Sequence, residues 1–180
     1  ENRLARQAAD MARETEPAVK IEYSRELAQN NEAAKFLEGL LTHMGMEAQV
    51  LAAEHDGGLR LRIDSSAMGL LIGHRGETLD AMQYLTSLVV NRSRKENGYQ
   101  RVTLDTENYR NKREESLRRL AHRLASQVRA SGKEQALEPM NPYERRILHA
   151  ALQNSQHVTT HSEGEEPNRR IIISPKNGKA

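Results

Sequence analysis

The chain has 180 residues, room for one medium domain or two small ones. Charged residues make up 29% of it and the mean hydropathy is -0.80, and no run of about twenty apolar residues occurs, so a membrane-spanning helix is excluded. The absence of cysteine removes disulfide frameworks, thiolate nucleophiles and cysteine-ligated zinc.

The first residues, Glu1-Asn2-Arg3, do not lead into the apolar run of a signal peptide, so a cytoplasmic location is expected. With no initiating Met, the sequence is expected to be a fragment or a processed chain. The net charge of +2 is unevenly spread. Residues 107–180 carry 14 basic and 9 acidic side chains, whereas residues 31–106 carry 8 and 10. A basic C-terminal part suits a polyanion without identifying one.

Residues 1–30 mix charges with Ala and lack strong apolar periodicity; a helical or disordered linker is expected there. From Asn31, Ala33, Ala34, Phe36, Leu37, Leu40, Leu41 and Met44 recur at three- and four-residue steps, the pattern of an amphipathic helix ending near Gly45. Met46–Ala53 and Leu59–Ile63 then read as a hairpin around Gly57-Gly58, with Leu59, Leu61 and Ile63 alternating against Arg60 and Arg62. A short apolar segment, Ala67–Ile72, enters Gly73-His74-Arg75-Gly76. The next helix is expected to bury Leu79, Met82, Leu85, Leu88 and Val89, and Gln100–Asp105 closes the unit as a strand.

Thr106–Ala130 reads as one long helix with Leu117, Leu120, Ala121, Leu124, Ala125 and Val128 as its apolar stripe. A strand over Glu134–Leu137 follows. Asn141 then caps a helix, Pro142–Gln153, with Pro at its first position. Strands His157–Ser162 and Arg169–Ser174 finish the chain around a turn-rich Glu163–Asn168 segment. No repeat is evident, so two different small domains are expected.

Two glycines separated by two residues let the backbone turn tightly and approach another molecule. The amides of Gly76, Glu77 and Thr78 open a helix, whose unpaired N–H groups and positive dipole end favour phosphate. Such a pattern alone is common in turns. In its place between two helices of an α-β-β-α-α-β unit, Leu71-Ile72-Gly73-His74-Arg75-Gly76 resembles the loop of a type II KH domain. That resemblance implies that Gly73, His74, Arg75 and Gly76 clamp the backbone of about four nucleotides, with Ile72 at the base of an apolar groove.

Arg145 and His149, four apart, share a helix face. Alone, the pair also suits an ordinary solvated face with a half-buried His. The strings Met140-Asn141-Pro142-Tyr143-Glu144-Arg145-Arg146-Ile147-Leu148-His149 and Ser162-Glu163-Gly164-Glu165-Glu166-Pro167-Asn168-Arg169-Arg170-Ile171-Ile172-Ile173 closely resemble the R3H domain of the bacterial Jag (SpoIIIJ-associated) proteins. Those proteins carry a type II KH domain immediately before it, and the likeness runs over roughly residues 31–176 in that order. A further N-terminal domain common in the family is expected to be missing.

The fold expected is therefore α+β: a type II KH domain over 31–106 and an R3H domain (α-β-α-β-β) over 107–176, joined through the long helix, with 177–180 as a tail. The resemblance implies non-catalytic binding of single-stranded RNA, with single-stranded DNA as an alternative ligand, and a link to cell elongation and division. It also implies a small single-KH-domain protein as partner. Its R3H ligand surface would be Arg145 and His149, with Arg146, Arg169 and Arg170 as secondary candidates. One of Arg169 and Arg170 is expected to pair with Glu163, Glu165 or Glu166.

No cofactor or metal is expected. The glycine loop has neither the Walker spacing nor the dinucleotide fingerprint, and no HExxH or paired-carboxylate motif occurs, so an enzyme is not expected. The main rival reading is a protein-interaction module, homodimeric or paired with a second KH protein, in which nucleic-acid binding is secondary.

Overall fold

The computed structural model describes residues 21–92, 94 and 98–176, so the expected tail and residues 1–20 of the expected linker lie outside the described residues. The chain divides between Glu107 and Asn108 into two compact units.

In the first unit, α1 (Arg25–Gln29) and α2 (Glu32–His43) each start on a side-chain cap. Ser24 Oγ accepts from Leu27 N–H and Asn31 Oδ1 from Ala33 N–H. Residues 24–30, assigned by sequence to the linker, pack onto the sheet: Ala28 is fully buried, and Ser24 exchanges backbone hydrogen bonds of 2.7 and 3.0 Å with Ala52. In α2, Ala33, Ala34, Leu37 and Leu41 make the single buried face that the periodicity requires.

Strands β1 (Ala48–His55) and β2 (Gly58–Ser65) pair antiparallel, with His55 opposite Gly58. The turn is only Asp56-Gly57, both at positive φ (52° and 68°) as a tight hairpin demands. The strands are therefore longer at this end than the sequence reading placed them. After α3 (Met68–Ile72), a single 3-10 turn (His74–Gly76) and α4 (Glu77–Arg92), strand β3 (Val102–Asp105) runs parallel to β2. The sheet order is β1-β2-β3. Val50, Leu59, Leu61, Ile63 and Leu104 are buried, and α2 and α4 contact the sheet and each other.

The buried face of α4 differs from the expected stripe. Leu79, Met82, Thr86 and Val90 are buried, whereas Leu85 and Leu88 are 44% and 50% exposed. Thr86 takes a core position because its hydroxyl is satisfied within the helix, donating to Met82 O at 2.7 Å.

The second unit begins with α5 (Tyr109–Ser131), which ends at Gly132 in the left-handed region, its N–H returning to Val128 O. There follow β4 (Gln135–Ala136), α6 (Pro142–Leu152), β5 (Val158–Glu163) and β6 (Arg170–Pro175), in the expected α-β-α-β-β order. The sheet order is β4-β6-β5, antiparallel throughout. Strand β4 is two residues long, extended by one hydrogen bond from Leu137 N–H to Ile171 O. Leu117, Ala121, Leu148, Leu152, Ile171 and Ile173 form the centre of the core. The expected cap is present: Asn141 Oδ1 accepts from Glu144 N–H at 2.9 Å, with Pro142 at the first helical position.

Candidate nucleic-acid interface

The glycine loop is a backbone device before it is a binding device. Gly73 closes α3 through its N–H to Gly69 O (2.9 Å) and adopts φ 69°, ψ -165°, a conformation that only glycine enters easily. A Cβ built there would lie 2.0 Å from Thr78 Oγ1 and 2.8 Å from Thr78 Cβ. Arg75 sits in the left-handed region (φ 54°, ψ 26°), and Gly76 is buried at φ 90°. These bends present His74 to solvent with its side chain 69% exposed, while Arg75 is half-buried. Ile72 beneath the loop is also half-buried, and Leu70 is exposed.

One amide counted as a phosphate donor from sequence is already used, because Glu77 N–H bonds to His74 O and closes the 3-10 turn. The exposed Glu77 carboxylate stands 3.5 Å from His74 Nδ1 at the N-terminus of α4. There it neutralises part of the dipole field that would attract an anion.

The second unit separates two adjacent arginines. Arg145 is only 8% exposed. Its Nη1 donates to Met140 O at 2.6 Å, and its fork grips the Glu166 carboxylate through Nη1 and Nη2. Rather than an open ligand cation, it is a tie between α6 and the turn before β6. Arg146 is exposed and has no ion-pair partner among the described residues.

His149, one turn beyond Arg145, is half-buried with both ring nitrogens against hydroxyls: Nδ1 lies 2.7 Å from Thr160 Oγ1, and Nε2 lies 3.2 Å from Ser162 Oγ. Burial, then the charges of His161 and Arg145, hold its pKa below the ordinary imidazole value. In the neutral ring one nitrogen donates to its hydroxyl and the other accepts, which fixes the ring plane. Thr160 is not singled out by spacing in the sequence. The two-residue alternation of β5 is the signal that puts Thr160 and Ser162 on one side.

Two open hollows meet at Arg146 and His149. One, of about 410 Å³, is completed by Arg145, Ser162, Glu166 and Arg169. The other, of about 400 Å³, is completed by Thr160 and Lys176 among others. Arg169 donates to Gly164 O at 3.2 Å and to Ser162 O at 3.5 Å, so it stiffens the turn while lining the first hollow. Arg170 lines neither and pairs with Glu163 at 3.6 Å. The structure thus groups Arg145, Arg146, His149 and Arg169 and leaves Arg170 outside. Lys176, which the sequence reading does not mark, borders the group and donates to Ser155 O.

Among the described residues, no cluster of three His, Asp or Glu side chains is arranged to hold a metal ion, and no helix is long and apolar enough to cross a membrane.

Comparison with known proteins agrees with the two-unit division. The family described as "KhpA/KhpB, KH domain" matches residues 31–103, and the R3H domain family matches residues 115–175. The chain is 46% identical over 164 residues to the RNA-binding protein KhpB of Clostridium symbiosum, covering 90% of this chain and 72% of that protein. It is 39% identical over 147 residues to the RNA-binding protein KhpB of Bacillus subtilis, covering 81% and 70%. Against the RNA-binding protein KhpB of Lactiplantibacillus plantarum it is 36% identical over 162 residues, covering 88% of this chain but spanning only half of that protein's length. With a KH unit and an R3H unit in this order, and with this degree of identity, the chain belongs to the KhpB (Jag) family.

Proposed function

We propose that this protein binds single-stranded RNA without catalysis, holding the sugar-phosphate backbone at the Gly73–Gly76 loop and at Arg146 and His149. The observation that carries the reading is the loop itself. Its backbone is bent through glycine-only and left-handed conformations that serve no core packing of His74, and it lifts that side chain into solvent at a helix N-terminus. The names of the relatives supply the ligand class. Two modest sites on one chain raise the effective concentration of a strand able to reach both.

A second reading, in which the KH unit pairs with another KH domain, is favoured by the exposed Tyr84, Leu85 and Leu88 on α4. It is compatible with the first. Cytoplasmic location, a role in cell elongation and division, and a small single-KH partner belong to the same proposal and rest on the family resemblance.

The test is a full-length chain carrying His74→Glu and Arg75→Glu, measured with labelled oligouridine at several salt concentrations. Neither change meets the glycine clash, and thermal unfolding checks that the fold is kept. Affinity should fall, and the slope of log affinity against log salt should shrink by about one for each phosphate no longer held. Unchanged affinity and slope would remove the loop from the binding surface.

A further inference from the structure

A third hollow in the second unit has no role in the surface described so far. It lies between α5 and the end of α6, with an open volume of about 400 Å³. Its floor is apolar, formed by Ala125, Ala151 and Leu152. Above that floor stand His122, Arg129, Asn154 and His157, and no carboxylate lines it. Leu152 is also a wall of the neighbouring hollow that contains Arg146 and His149, so the two depressions adjoin across one side chain.

An Arg at the end of α5 has a simple explanation, since a cation complements the negative end of a helix. That account covers Arg129 alone. It does not explain two imidazoles and an amide converging on an apolar floor in a hollow of about 400 Å³. Arg129 makes no ion pair among the described residues, so its fork is available. An apolar floor suits the face of an unstacked base, imidazole rings can stack on one, and a guanidinium fork suits the adjoining phosphate.

We infer that this hollow is a further nucleotide site, which takes a base and its phosphate from the strand held at Arg146 and His149. The occupant is single-stranded RNA continuing past Leu152. The inference rests on the reading of the second unit as an RNA-binding surface and extends that surface along α6. The two depressions adjoin across Leu152, so a strand that fills both needs more nucleotides than one that fills either. Binding at the hollow should therefore depend on strand length.

The experiment uses the full chain, with oligouridines of about 4 and about 12 nucleotides, a range typical of single-strand sites. Arg129→Glu and Arg146→Glu are compared with the parent protein. Both positions are exposed, and thermal unfolding verifies that the fold is kept. Arg129→Glu should weaken the longer strand by about tenfold or more, as expected for one charge-assisted hydrogen bond, and should leave the shorter one nearly unchanged. Arg146→Glu should weaken the longer strand as well. On titration of the parent with the longer strand, the imidazole NMR signals of His122 and His157 should move with that of His149. If Arg146→Glu loses affinity while Arg129→Glu binds as the parent and those two signals stay still, the hollow is not a nucleotide site. If neither variant loses affinity, the RNA-binding reading of the whole unit fails first.

Discussion

Arg145 and Arg146 are neighbours in sequence with opposite surroundings, and replacing them separately distinguishes support from direct binding. In Arg145→Met the side-chain stem still packs but the guanidinium is gone. Met140, itself 8% exposed, is then deprived of the 2.6 Å donor on its carbonyl oxygen. A buried acceptor left without its partner costs about 1–3 kcal/mol. Glu166 is half-exposed and can turn to water, so removal of its ion pair adds at most about 1 kcal/mol. A total of roughly 1–4 kcal/mol corresponds, for a domain of this size, to a melting transition lowered by about 5–30 °C. Arg146→Glu, at an exposed and unpaired position, should change stability by no more than about 0.5 kcal/mol. Calorimetry of the full chain reads the first quantity. Fluorescence anisotropy with labelled oligouridine, at a temperature where both variants are folded, reads affinity, which Arg146→Glu alone should reduce strongly. If Arg145→Met melts within about 2 °C of the parent, the tie to Met140 and Glu166 does not hold the turn and the reasoning is wrong.

Two further outcomes follow from particular geometries. Gly73→Ala places a methyl group 2.0 Å from Thr78 Oγ1 on a backbone at φ 69°, so urea unfolding should show a stability loss of about 1–3 kcal/mol; a midpoint equal to that of the parent would mean the loop relaxes freely. His149 should titrate below about pH 6.5 in NMR, because burial and neighbouring cations disfavour its charged form. Its folded pKa is depressed, so the unfolded chain binds more protons. The associated stability is present above about pH 6.5 and is lost as pH falls through the folded value. A bound phosphate should raise that value, so saturating oligouridine that leaves the titration unmoved would place the strand away from His149.

Much of this architecture is legible in the sequence because it depends on local chemistry. The α2 periodicity, the Asn141-Pro142 helix start and the glycine turn of the hairpin are each set by residues within a few positions of one another. Tertiary choices are less visible. Leu85 and Leu88 match Leu79 and Met82 in hydropathy, yet the sheet receives Thr86 and Val90, since the threonine hides its hydroxyl in its own helix. Arg145 looks like a surface cation until Glu166 returns from 21 residues away to meet it. The hydroxyl partners of His149 lie 11 and 13 residues on, where only the register of β5 brings them to the ring.

The Ser24–Ala52 bridge has a consequence for colloidal behaviour. Strand β1 is the edge of its sheet, and its outward N–H and C=O groups are a template for another chain. Ser24 occupies both groups of Ala52 near the middle of that edge, and α1 packs alongside. A fragment cut at Asn31, where the KH family match begins, would strip this guard and leave Val50-Leu51-Ala52-Ala53 open to strand addition. Self-association of such a fragment would report the missing guard and not a native interface, so the natural start of this unit for any isolated study is no later than Tyr23.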